Sequence, residues 1–267
     1  MTSRALFLRS LALLFLFSAL SACDTGAPGA AQRYAQDQTS ETLQLAQATT
    51  EAGDPATAAK LFEKVLRADP ISVPALLGAG DAYARMGQND RAEAVLERAH
   101  ELAPNNAEVL TTLGRVKLAQ GQPTAALEEY EKALRIDRRN VAALTGKGVA
   151  LDQLSRHADA QAVYETALAM YPANFILRSN YALSLAISGQ MVKGTGILQE
   201  LVRDPNAAPH VRGNLALVYG LAGRDTDARA TLALDMSPAQ VEENIAAYRA
   251  IRRLMLEDKP IGALIFM

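Results

Sequence analysis

The chain has one cysteine, no tryptophan, three histidines and 5% aromatic residues in 267. A single cysteine excludes any internal disulfide, so no covalent framework supports this fold. His100, His157 and His210 are isolated in sequence, and none has a second ligand at the spacing that metal sites use. No metal, cofactor or small-molecule substrate is expected. Basic charge is not in excess either, with 27 basic residues against 29 acidic ones. A surface that tracks phosphates shows a strong basic excess interleaved with aromatics, so no nucleic acid partner is expected. Long apolar runs are also missing: the run from Leu11 to Phe17 falls far short of the roughly 20 residues that a membrane-spanning helix needs.

That short run nevertheless has a use. Arg4 and Arg9 precede it and small residues follow it, which is the order of a secretory signal. The closing Leu20-Ser21-Ala22-Cys23 resembles the lipobox of bacterial lipoproteins, in which cleavage falls before the cysteine and lipid is attached to it. The resemblance implies a signal peptide over 1–22 and a lipidated Cys23 as the membrane anchor. One acyl chain holds a protein only marginally, whereas two or three on one residue give stable attachment. Residues 23–38, small and polar, are expected to be a flexible tether to the folded body. Removing the leader takes away two arginines and no acid, so the mature chain is the more acidic one.

The body repeats. Gly80 and Gly114, Gly87 and Gly121, Ala92 and Ala126, and Ala99 and Ala133 are each 34 residues apart. The frame extends without insertion into six units over 39–242. The eighth position of the units is Ala46, Gly80, Gly114, Gly148, Ala182 and Ala216; the twentieth is Ala58, Ala92, Ala126, Ala160, Gly194 and Ala228. Small residues recurring in step mark where two antiparallel helices approach closely. Position fifteen is glycine in every unit except the fourth, which has Ser155, as suits a left-handed turn between helices. Position twenty-four is large throughout: Phe62, Leu96, Tyr130, Tyr164, Leu198 and Leu232. This pattern resembles the tetratricopeptide repeat, which implies an all-α, right-handed superhelical solenoid.

Some positions depart from the pattern. Arg138 stands where a proline is usual, Pro205 comes one place early, Lys147 occupies a normally apolar site, and Asp235 stands where the sixth unit should have a small residue. The last unit is therefore degenerate. Beyond it, Val241, Ile245, Tyr248, Ile251, Leu254 and Met255 fall on one face of a helix introduced by Ser237 and Pro238. That face suits a capping helix, with a partner-binding helix as its other use; residues 243–267 carry its end and an apolar tail. The tail from Ile261 has no charged side chain and is expected to fold back onto the solenoid rather than be offered to a partner.

No sequence feature carries catalysis, and no enzyme activity is expected. Lys193 precedes Gly194 in GQMVKGTG, the reverse of a phosphate loop, and Gly78 and Gly80 fall inside a helix rather than after a strand. What remains is the concave groove lined by the first helices. Units one to three present Gln47, Glu51, Asp81, Arg85, Glu108 and Arg115 there. Units five and six present Ile176, Leu183, Ala186, Ile187, Leu217 and Leu221, a stripe expected to bind a partner. Either an external helix or strand covers that stripe or the chain's own terminal helix does. Asn180 and Asn214 resemble the asparagines with which some such repeats hold a peptide carboxylate, but the companion lysines and arginines are absent, so structural hydrogen bonds are expected instead.

Taken together, the lipobox, the tether, the tandem repeats and the closing SPAQVEENIAAYRAIR resemble the lipoprotein D component of the tight-adherence (Tad, Flp pilus) assembly machinery. The resemblance implies a non-catalytic assembly factor whose partners are a secretin or other pilus-machine subunits, held to the membrane by its lipid and facing the periplasm. The outer membrane is the expected location, with Asp24 leaving the inner membrane open, since an aspartate after the lipidated cysteine retains some enteric lipoproteins there. An adaptor for cell-wall or envelope-biogenesis enzymes, or a regulatory subunit of a periplasmic enzyme complex, would use the same surface.

Overall fold

The computed structural model describes residues 28–204 and 209–266. The leader, Cys23, Asp24 and Pro205 lie outside the described residues. All regular secondary structure among the described residues is α-helical, in consecutive pairs. The pairs are α1 (Pro28–Glu51) with α2 (Pro55–Ala68), α3 (Val73–Arg85) with α4 (Asn89–Leu102), and α5 (Ala107–Ala119) with α6 (Pro123–Ile136). They continue as α7 (Val141–Gln153) with α8 (His157–Met170), α9 (Phe175–Ile187) with α10 (Met191–Leu201), and α11 (Pro209–Leu221) with α12 (Asp225–Leu232). A long α13 (Pro238–Leu256) and a single turn, α14 (Gly262–Ile265), follow. From Thr42 onward the chain forms one compact unit.

The close approach encoded at positions eight, twenty and twenty-four is visible atom by atom. A Cβ on Gly80 would lie 2.5 Å from the Leu96 side chain, one on Gly114 2.7 Å from Tyr130, and one on Gly148 2.4 Å from Tyr164. Each large residue thus fills the space that its own unit's glycine leaves. Tyr130 also reaches the next unit, where a Cβ on Gly146 would meet its ring at 2.2 Å, and Phe62 does the same at Gly78. These rings lock one repeat to the next in an interior too dense to admit another methyl group. Phe62, Leu96, Tyr130, Tyr164, Leu198 and Leu232 are all buried.

Caps and turns follow the same period. Asn106, Asn140 and Asn174 close their units, and each side-chain oxygen accepts from backbone N–H groups in the first turn of the next helix. Such caps stabilise a helix by about 1 kcal/mol each. Gly53, Gly87, Gly121, Gly189 and Gly223 take positive φ at the turn within each unit, and Ser155 takes φ +58° in the fourth. A serine there carries a steric cost that glycine avoids.

First helices pack on the next first helix from α3 through α11, whereas successive second helices do not meet to the same extent. The stack therefore curves with the first helices inside. α13 continues the series on α11 and α12 with Val241, Ile245 and Tyr248 buried. Gln240 Oε1 accepts from both the backbone N–H and the hydroxyl of Ser237 at its start. Arg249 and Arg252 pair with Asp225 at 2.6 and 3.0 Å and hold its carboxyl below the usual carboxylate range. The expected capping helix is thus present, on one face as read.

One expectation needs correction here. Residues 28–38, read as part of a flexible tether, belong to α1. No proline or glycine interrupts 30–52, and helix propensity outweighs the polar composition. The sixth unit is degenerate as read: α12 stops at Leu232 after eight residues, and the chain turns where Asp235 replaces a small residue and pairs with Arg212 at 2.6 Å.

The interlock and the strained turn give opposite outcomes on mutation. Gly148→Leu, with Tyr164 in its way, is expected to lower stability by roughly 2–3 kcal/mol. Ser155→Gly is expected to raise it by about 1 kcal/mol. Urea denaturation followed by circular dichroism measures both; an unchanged midpoint for Gly148→Leu would contradict the interlock.

Candidate protein-binding groove

The inner face divides into two halves of different chemistry. In the N-terminal half Arg115 on α5 donates to Asp81 on α3 at 2.5 Å, and Arg85 donates to the other oxygen of Asp81 at 2.6 Å. These pairs are partly exposed, so they contribute little to stability and instead set the surface's mixed charge. Asn140 Nδ2 donates to Thr111 Oγ1 at 3.2 Å, so the same residue caps α7 and orders the groove wall. Asp81, Glu108, Thr111, Arg115, Tyr130 and Asn140 line a recess of about 240 Å³. A larger open depression of about 730 Å³ runs along the loops between units, past Asn105, Glu108 and Asp137. Gln47 and Glu51 are exposed.

The C-terminal half is closed. Of the stripe read as covered either by an outside partner or by the chain's own terminal helix, only Ile176 is exposed, at 54%. Leu183, Ala186, Ile187, Leu217 and Leu221 are buried in one apolar cluster with Ile261 and Phe266. After α13 the chain turns at Asp258, passes Lys259 and Pro260, and returns to α7 of the fourth unit. Gln153 Nε2 donates to the Phe266 carbonyl at 2.7 Å. A Cβ on Gly262 would lie 2.2 Å from the Asp152 carbonyl oxygen. The tail folds back as expected. It occupies the apolar half, so the stripe is not an open surface.

Beside the tail's seat, at the same Asp152, lies a polar cluster. Asp152 is fully buried; Ser184 donates to its Oδ1 at 2.7 Å, and His157 Nδ1 lies 2.8 Å from the same oxygen. Its Oδ2 and the buried Tyr164 hydroxyl have no partner in full hydrogen-bond geometry, and the hydroxyl neighbours the carboxyl closely enough for the two to interact. Burial pushes the Asp152 carboxyl up, against the opposing hydrogen bonds from His157 and Ser184. Burial and the neighbouring Asp152 push the Tyr164 hydroxyl well up. Serine, histidine and aspartate meet here, but in the wrong order for nucleophilic catalysis, with the carboxylate rather than the imidazole at the serine hydroxyl. Sequence spacing hid this cluster, because Asp152 and Ser184 are 32 residues apart. Its one local signal was a charge at the twelfth position, where the other units have Thr50, Ala84, Leu118, Ala186 and Gly220. Asn214 donates to Ser179 Oγ at 2.8 Å, a structural hydrogen bond. Among the described residues no group of three or more His, Cys, Asp or Glu side chains is placed to hold a metal.

A curved stack of helix pairs with charged and hydrogen-bonding side chains along its inner face is a protein-binding scaffold. Profiles described as "Tetratricopeptide repeat" match residues 50–116, 111–175 and 148–209, and the chain belongs to this family. It is 33% identical over 138 residues to the uncharacterized protein y4yS of Sinorhizobium fredii, a match covering 49% of this chain and 76% of y4yS. It is 33% identical over 81 residues to the type IV pilus assembly protein PilF of Pseudomonas aeruginosa, covering 30% of this chain and 32% of PilF. The crystal structure of PilW, a type IV pilus biogenesis factor, superposes with a TM-score of 0.67 at 18% identity, over 78% of this chain and 98% of that one, a likeness of fold.

The buried carboxylate makes a pH prediction. Asp152 has a folded pKa above the unfolded value of 3.8, so its ionisation costs stability. That cost is absent below the unfolded pKa and grows as pH rises through the folded one. Asp152→Asn is therefore expected to stabilise the protein at about pH 7 and to matter little at about pH 4. Urea midpoints at the two pH values test this, and equal effects at both would contradict the burial argument.

Proposed function

We propose that this protein is a lipid-anchored, non-catalytic adaptor of the bacterial envelope that helps assemble a pilus machine of the tight-adherence type. Cys23 carries the lipid and confines the solenoid to the membrane, with the outer membrane as its site and the periplasm around the repeats. Confinement raises the local concentration of a weakly bound partner, which makes a modest groove effective. The partner is a secretin or another subunit of the machine. The observation that carries this reading is the open, mixed-charge half of the groove around Asp81, Glu108 and Arg115, set behind a lipobox. The likeness to PilF, described as a type IV pilus assembly protein, supports the same direction.

Two experiments test the proposal. Cys23→Ser is expected to abolish labelling by a fatty-acid probe, and persistent labelling would refute the anchor. For the groove, Asp81→Lys/Glu108→Lys reverses two exposed or half-exposed charges and is expected to keep its helical circular dichroism. Crosslinking in the protein's own cells followed by purification should recover a secretin or pilus subunit with the native chain and lose it with the folded double variant. Recovery of the same subunit by both would rule out this half of the groove as the docking site.

A further inference from the structure

The returning tail does more than cover apolar surface. α13 already caps the last repeat, and the tail passes beyond it to α7, three first helices back from the cap. Capping therefore does not explain where it sits. Its hold is small beside that of a full helix: Ile261, Gly262 and Phe266 are buried, Ile265 is half-buried, Gln153 donates one hydrogen bond, and Leu264 remains 42% exposed. The four-residue α14 is far too short to persist once undocked. The connection is short and exposed: Asp258 closes α13 in a left-handed cap at φ +52°, with the Lys259 N–H donating to the Leu254 carbonyl at 3.0 Å, and Asp258, Lys259 and Pro260 are all exposed.

The seat, by contrast, is selective. Gly262 lies against backbone, with the Asp152 carbonyl oxygen and Gln153 Cα where a side chain would begin, so no larger residue fits. Withdrawal would strip Ile261 and Phe266 from the cluster that contains Leu183, Ile187, Leu217 and Leu221, and would uncover the Asp152 backbone carbonyl that Gly262 lies against. Such a surface needs another cover of the same shape.

We propose that residues 261–266 are a displaceable plug, and that the segment which replaces them is a short apolar peptide of a partner protein with the same pattern. That pattern is an aliphatic residue, then a glycine, then three residues after the glycine an aliphatic–aromatic pair. The tail competes for the seat as an intramolecular ligand, so the apolar half of the groove opens only to a partner that outbids its local concentration. This deepens the adaptor reading and rests on it, but its test uses purified protein and needs no pilus subunit. A failed pull-down leaves the plug measurable, and a failed plug leaves the open half of the groove as the docking site.

The probe is a fluorescent peptide of sequence IGALIFM, titrated by anisotropy into a chain that begins at Asp24 and so retains every described residue. Three proteins are compared: the native chain, one ending at Pro260, and Gly262→Val, which expels the tail without removing it. Both altered chains are expected to bind the peptide at least about tenfold more tightly than the native chain, and a peptide with valine in place of its glycine is expected not to bind. No binding by a folded altered chain, or equal binding of the valine peptide, would overturn the proposal. Loss of helicity in both altered chains would overturn it too, since the tail would then be an integral part of the core. A native dimer that becomes monomeric on truncation would replace it with exchange of tails between two copies.

Discussion

The structure depends on one steric bargain repeated down the chain: a residue without a side chain, or with only a methyl group, faces a ring or a leucine in the partner helix. Gly114 and Gly146 approach Tyr130 from two successive units, and Gly148 approaches Tyr164. Backbones brought this close bury nearly all of each large side chain, which is how a chain with 5% aromatics obtains a dense interior. Because the same contact joins helices within a unit and units to each other, the curvature of the stack and the position of its inner face follow from it.

Function follows from which residues that curvature turns inward. The outcome differs along the chain because side chains at equivalent positions differ. Asp81 and Arg115, at the ninth position of the second and third units, leave a wet, charged wall; Leu183 and Leu217, at the ninth position of the fifth and sixth, leave an apolar one. Water can cover the first. The second requires protein, and the chain supplies its own last residues. The two halves thus suit different kinds of partner contact, one available at once and the other available on exchange.

Much of this was legible in the sequence, because repetition multiplies weak signals. A single small residue means little, whereas twelve in step over six units fix the helix pairs, the turns and the inner face. The capping helix was readable from one apolar stripe. What escaped reading was of two kinds. Local propensity, summed over 30–52 without proline or glycine, extended α1 into the expected tether. Contacts between distant residues were the other kind: the bond from Gln153 to Phe266 spans 113 residues and the Asp152–Ser184 pair spans 32. Apolar composition predicted that the tail would fold back, but only the glycine-sized gap at Asp152 selects its seat.

The central claim is that the apolar half of the groove is closed by the chain's own C-terminal residues in solution. The most direct measurement is the rate at which maleimide modifies a thiol at Ile187→Cys, in chains otherwise free of cysteine. The intact chain is expected to react slowly, and one ending at Pro260 at least about tenfold faster, as local opening no longer limits access. Equal rates in the two folded chains would contradict the account.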